Sequence, residues 1–225
     1  MTRAEAARGP SGRPTAAGAA ELAERILAVA TRAFLADGYA ATSIETVAAR
    51  AGVAKRTLYA RWRGKPALFR AVLERLMTRW LAMPESPASV AHLKAETGLE
   101  DALLQTASRA LTVALQPEAL ALHRLMIAES GRFPELGEMV RQSGAAAGMA
   151  RIAGLLAAEV AAGQLAPLDP GVAAEQFLHL VLTGPQRRAL GLAPPLDAAG
   201  VAAWARQAVA LFLNGCKARA VSTKC

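Results

Sequence analysis

Residues 42–65 read TSIETVAARAGVAKRTLYARWRGK. Thr42-Ser43-Ile44-Glu45 has the form of a capping box: the Thr42 hydroxyl is placed to accept from the Glu45 amide, and the Glu45 carboxylate can reach back in return. A short helix starts there, with Ile44, Val47, Ala48 and Ala51 on one stripe, and Gly52 ends it. Val53-Ala54 makes the turn, and a second short helix runs from Lys55 to Trp62. Leu58 and Trp62, four apart, face the same way and can join Val47 and Val53 in a small core, which leaves Arg56, Tyr59, Ala60 and Arg63 pointing outward. Two short helices joined across a glycine turn, the second with a positive outer face, make a helix-turn-helix over residues 43–62.

The flanks extend this unit. Residues 1–20 are Ala, Gly, Pro and Arg without periodicity and read as a flexible basic arm. From Glu21, the residues Leu22, Ile26, Leu27, Ala30, Ala33 and Phe34 recur at helical spacing up to Asp37-Gly38, where the glycine is expected to supply a left-handed cap. Gly64-Lys65-Pro66 breaks the chain and restarts it, and Leu68, Phe69, Val72, Leu73, Leu76, Met77 and Trp80 carry a further helix to Met83. Pro84-Glu85-Ser86-Pro87 marks a boundary, so the chain divides into an arm (1–20), a helix-turn-helix domain (21–81) and a second domain (82–225).

The second domain is also helical. Of 225 residues only ten are aromatic, and runs rich in Val, Ile and Thr are missing, so the chain reads as all-α. Helices are expected over 99–115, 117–131, 134–162, 170–190 and 197–214, the fourth bent or split at Gly184-Pro185. Charge is unequally shared: residues 1–80 hold fourteen Lys and Arg against six Asp and Glu, and residues 81–225 hold twelve of each. The whole net charge of +8 thus lies in the first third, as suits a polyanion-binding module joined to a neutral domain. Cys216 and Cys225 have no second pair with which to form a metal site, no charge-free apolar run is long enough to span a membrane, and the N-terminus lacks the apolar core of a signal peptide. A cytoplasmic protein is expected. The three histidines are scattered and no nucleophile motif or phosphate loop is present, so neither an enzyme nor a cofactor is expected.

Residues 21–81 resemble the DNA-binding domain of the TetR family of transcriptional regulators. The residues that carry the likeness are Phe34-x-x-x-Gly38-Tyr39, Ala41-Thr42-Ser43, Val47-Ala48-x-x-Ala51-Gly52-Val53, Lys55-x-Thr57-Leu58-Tyr59-x-x-Trp62 and Lys65-x-x-Leu68-Phe69. Arg61 stands where this family often has His or Tyr, Trp62 where it usually has Phe, and Pro66 where Glu is common. The resemblance implies an N-terminal three-helix DNA-binding domain followed by a C-terminal helical domain for ligand binding and dimerisation. Arg124-Leu125-Met126-Ile127-x-Glu129-x-x-Arg132-Phe133-Pro134-Glu135-Leu136 looks like a signature of one group of these regulators.

By position in the motif, Thr42, Ser43, Tyr59 and Lys65 are expected to hold DNA phosphates, with Arg61 adding a further contact. Lys55, Arg56, Thr57 and Ala60 are expected at the bases, where an arginine can bond guanine O6 and N7 together. The basic arm either enters a minor groove or serves only as a linker. A membrane-surface helix is disfavoured, because the apolar side of this short helix is claimed by its neighbours. The other candidate for the basic third is a sequence-non-specific, nucleoid-type DNA-binding protein, which leaves the neutral, apolar remainder of the chain without a role.

For the second domain the family implies a homodimer on a roughly palindromic operator, released by a small molecule and acting as a repressor. Leu180, Val181, Trp204, Ala208, Leu211 and Phe212 lie on stripes of the last two helices that suit a dimer interface. Trp80, His123, Met126, Phe133, Met149 and Phe177 are candidates for a pocket wall, and their character points to a hydrophobic or aromatic effector.

Overall fold

The computed structural model describes residues 16–82, 98–142 and 146–216. Ten helices occupy them: α1 (Ala16–Ala41), α2 (Ile44–Ala51), α3 (Lys55–Arg61), α4 (Lys65–Leu81), α5 (Leu99–Ala114), α6 (Pro117–Glu129), α7 (Glu135–Val140), α8 (Ala146–Ala161), α9 (Pro170–Ala189) and α10 (Ala198–Cys216). The fold is all-α, an N-terminal helix-turn-helix head on a helical second domain. No strand occurs among the described residues.

Local chemistry accounts for most boundaries. Gly52 takes φ 65 and ψ 36, the left-handed cap that ends α2, and Pro66 occupies the first turn of α4, where a missing N–H costs nothing. Three positions depart from expectation at the front of the chain. Helix α1 begins at Ala16, so residues 16–20 are helical and not part of an arm; alanine, the best helix former, outweighs the single Gly18 there. Residues 1–15 of the expected arm, and the Pro84–Pro87 boundary, lie outside the described residues. Gly38 has the expected positive φ of 88 but an extended ψ of 168, so the chain kinks there and one more turn follows.

That kink moves the cap of α2 by one residue. The Thr42 hydroxyl donates back to the Gly38 carbonyl at 2.8 Å and is buried, whereas Ser43 accepts from the Thr46 amide at 3.0 Å. Ser43 is therefore the N-cap, and the expected exchange between Thr42 and Glu45 does not form.

Of the expected helix over 134–162, α7 and α8 are described, and residues 143–145 lie outside the described residues. One later departure has a side-chain cause: α9 runs through Gly184-Pro185 without a break. Pro185 offers no N–H to the Val181 carbonyl four residues back. The Trp204 indole of α10 supplies the missing donor, at 3.0 Å to Val181 O and 3.2 Å to Leu180 O. Only glycine admits it: a Cβ on Gly184 would stand 2.2 Å from the indole ring. Gly184-Pro185 is thus a socket for Trp204.

Two cores result. The first gathers Phe34, Tyr39, Phe69 and Leu58 of the head and extends beyond it to Leu122, Leu125, Leu136 and Met139 on α6 and α7. The second lies among α5, α8, α9 and α10, around Phe177 and its edge-on partner Phe212 at 5.1 Å. The head thus sits on α6 and α7, which belong to the second domain by sequence.

Candidate functional site

The candidate recognition surface is the outer face of α3. Leu58 is fully buried and Trp62 nearly so, which holds the short helix against α2 and α1 by its apolar side. Lys55, Arg56, Ala60, Arg61 and Arg63 are exposed, Tyr59 keeps 45% of its surface, and Thr57 is half-buried. These cations are not equally available. The Lys55 ammonium pairs with Glu45, which holds that carboxyl below its ordinary range and raises the Lys55 ammonium above its own. Arg61 donates to the Ala19 carbonyl at 2.9 Å, joining the front of α1 to α3. Arg56 and Arg63 have no such partner among the described residues and project with their charge uncommitted.

Among the expected phosphate contacts, Ser43 and Tyr59 are accessible at one side of this surface and Thr42 is not, its hydroxyl being turned inward to Gly38. Lys65 is tied into the protein. Its ammonium donates to the carbonyls of Tyr39 at 2.9 Å and Ala40 at 3.1 Å, and stands 4.6 Å above the Tyr39 ring. Lys65 thus neutralises the exposed carbonyl end of α1, a use that cations serve well at helix C-termini.

The same corner receives the second domain. Glu129, the last residue of α6, accepts from the Ala40 amide at 2.9 Å, and its carboxylate lies 2.8 Å from where a Cβ on Gly38 would be. Phe133 packs edge-on to Tyr39 at 5.0 Å, and Tyr39 in turn meets Phe69 at 5.1 Å. Burial pushes the Tyr39 phenol up, and the nearby carboxylates of Glu135 and Glu129 add to that shift. The stretch from Glu129 to Leu136 is therefore the joint between domains. Phe133, expected on a pocket wall, belongs to this joint instead.

Between the two cores lies a cavity of about 390 Å³. Met77 and Trp80 at the end of α4 form one side; Leu122, His123 and Met126 of α6 and Met149, Ile152 and Leu155 of α8 form others. Trp80, His123, Met126 and Met149 are thus brought together. Phe177 is not: it is fully buried in the second core. The wall also holds Arg109 and Arg151, which sequence reasoning missed, and no carboxylate appears among the described residues that line it. Arg109 donates to the Trp80 carbonyl at 2.7 Å, fixing the end of α4 to α5. The signal for Arg151 was a lone cation in the apolar series Met149, Ile152, Leu155 and Leu156. Because α6 carries His123 and Met126 on the cavity and Glu129 on the head, one rigid element touches both.

The six expected interface residues separate. Val181, Ala208 and Phe212 are buried inside the chain's own second core, because both α9 and α10 turn those stripes toward α5 and each other. Trp204 is held in its socket, with Leu180 beside it half-buried, and Leu211 remains 65% exposed. Among the described residues no helix is long and apolar enough to cross a membrane, and no cluster of His, Cys, Asp or Glu could hold a metal ion.

Comparison with known proteins places this geometry. Residues 101–215 match the family model of the AefR-like transcriptional repressor C-terminal domain, and residues 26–72 match that of the bacterial regulatory proteins of the tetR family. A search of the curated proteins returned no match. Among solved structures, the flavonoid-responsive regulator FrrA is 33% identical, with a TM-score of 0.70, covering 89% of this chain and 100% of that one. A Mesorhizobium loti protein described as a TetR-family transcriptional regulator is 29% identical with a TM-score of 0.71, over 89% of this chain and 98% of the other. A TetR-family regulator from Pseudomonas syringae pv. tomato, at 24% identity, 87% and 97% coverage and a TM-score of 0.66, shares the fold.

Proposed function

The chain belongs to the TetR family of bacterial transcriptional regulators, and from that premise we propose that it is a ligand-responsive repressor that binds a palindromic operator as a homodimer. Its α3 enters the major groove with Arg56 at a base, where a bidentate bond to guanine suits an uncommitted guanidinium, while Lys55, Thr57 and Ala60 line the same approach. Ser43, Tyr59 and Arg61 meet phosphates, and Lys65 supports that surface through α1 more than it contacts DNA. A two-fold pair of heads would read half-sites about 34–36 Å apart, with α9 and α10, including the exposed Leu211, facing the partner.

The observation that carries the ligand response is the position of the cavity, with the end of the head's α4 in its wall and α6 running from it to the Glu129 contact. An apolar molecule filling the cavity would favour one placement of α4 and α6 over another, and could act on DNA affinity only to the extent of that preference. The flavonoid-responsive relative supports an aromatic effector. The test is competition binding at about 0.15 M salt, where non-specific association is weak. Duplex from upstream of the protein's own or neighbouring genes should compete far better than random duplex. Arg56→Ala should lose about 1–3 kcal/mol on that duplex and relax preference at one base pair. No preference in the wild type would leave the nucleoid-type reading.

A further inference from the structure

Arg151 is half-buried and has no hydrogen-bond or ion-pair partner among the described residues. It stands on α8 in the wall of the cavity, its Nε is buried without any hydrogen-bond partner, and it makes no ion pair among the described residues. A buried donor on a guanidinium must find an acceptor or cost stability. The nearest charged neighbour on the wall is no help: Arg109 is a second cation, engaged with the Trp80 carbonyl. Apart from Thr106, His123 and Gln186, the rest of the lining is hydrocarbon, thioether, indole or glycine backbone. An unpartnered guanidinium nitrogen in the wall of a largely apolar cavity, with no carboxylate among the described lining, describes a complement: a molecule with an apolar body and one anionic oxygen group.

We infer that the effector carries such a group, a carboxylate or an acidic phenol, bound by Arg151, with its hydrocarbon body against Trp80, Met126, Ile152 and Leu155. The inference rests on reading the cavity as the effector site. A guanidinium accepts an oxyanion in a planar two-bond fork, which fixes orientation as well as charge. Burial of the rest of the molecule supplies most of the affinity, and the pair supplies the selection.

Two matched probe pairs test this by calorimetry on the full chain: 2-naphthoate against 2-naphthamide, and 7-hydroxyflavone against 7-methoxyflavone. In the wild type the acidic member of at least one pair should bind about tenfold more tightly or better, the range expected of a charge-assisted bond. In Arg151→Met that preference should vanish while the neutral member keeps its affinity, and Arg151→Lys should restore part of it. Which pair responds separates a carboxylate from a phenol. Equal binding of both members, or a preference that survives Arg151→Met, overturns the acid-recognition inference and leaves the cavity as an effector site. No binding by any of the four removes the effector site and the inference together. Melting of the unliganded variant gives a second readout. Arg151→Met should melt at or above the wild-type temperature, since it removes an unpartnered buried donor; a marked fall would show that Arg151 holds the fold and would also overturn the inference.

Discussion

The head and the bundle behind it are filled with different materials. In the head, the rings of Phe34, Tyr39 and Phe69 interlock, with Phe34 and Phe69 edge-on at 5.0 Å, and Trp62 and Trp80 share the same core. Around Phe177 the second core is spaced instead by Ala107, Ala173, Ala174, Ala205 and Ala208. Large rings that fill their space allow one arrangement, which suits a part that must present α3 at a fixed angle. Small residues let helices approach closely, and the cavity lies at the seam between the two cores with Ala110, Ala114 and Ala119 in its wall. The head and the bundle thus differ first in packing.

The sharpest way to break that contrast is to delete one side chain from each. Phe69→Ala should destabilise the protein by about 3–5 kcal/mol in urea denaturation, because the rings around it cannot collapse into the hole. Met149→Ala, on the cavity wall, should lose about 1 kcal/mol or less, since its atoms already face empty space on one side. Similar losses at both positions would mean that the seam is packed.

Gly184→Ala comes next. A methyl group placed 2.2 Å from the Trp204 ring must expel the indole, at about 1–3 kcal/mol, and the emission of that tryptophan should shift to the red. No shift would show that α9 and α10 can separate without cost. Smaller and opposite in sign, Ala110→Leu should stabilise the protein by about 0.5–2 kcal/mol by filling part of the cavity, and should weaken probe binding there. The smallest effect belongs to Glu45→Gln at the head surface. The Glu45 carboxyl titrates below its ordinary range in the folded chain, so its contribution is present above about pH 4.3 and fades as pH falls through the lowered value. The stability gap between wild type and variant should therefore narrow in acid and in high salt. A gap constant from neutral pH down to strong acid would mean that the Lys55 pair contributes nothing.

How much of this was legible varies with the physical origin of each feature. The elements of the head follow from local signals, chiefly Gly52 and Pro66, whose conformational demands need no tertiary context. The cap at Ser43 could not be distinguished from one at Thr42, because the choice depends on how Gly38 bends against Glu129, ninety-one residues away in sequence. Pro185 read as a break for the same reason: the donor that rescues Val181 comes from another helix. Periodicity marks Phe133, Met126 and Phe177 alike as inward-facing, yet one joins the domains, one lines the cavity and one fills the core. Spacing along a helix gives direction and does not say what lies in that direction. Arg151 was passed over because a cation on a helix is most often at the surface.

The central claim is that α6 couples the bundle to the head through Glu129. Its most direct test is the affinity of wild type and Glu129→Ala for the same operator duplex, with amide hydrogen exchange followed across residues 38–62 of the free protein. The claim predicts that Glu129→Ala changes operator affinity about fivefold or more, the usual scale of coupling between sites, while exchange quickens near Ala40 and stays unchanged in α3. An unchanged operator affinity with faster exchange at Ala40 would contradict it, since the head would then read DNA without regard to its hold on α6.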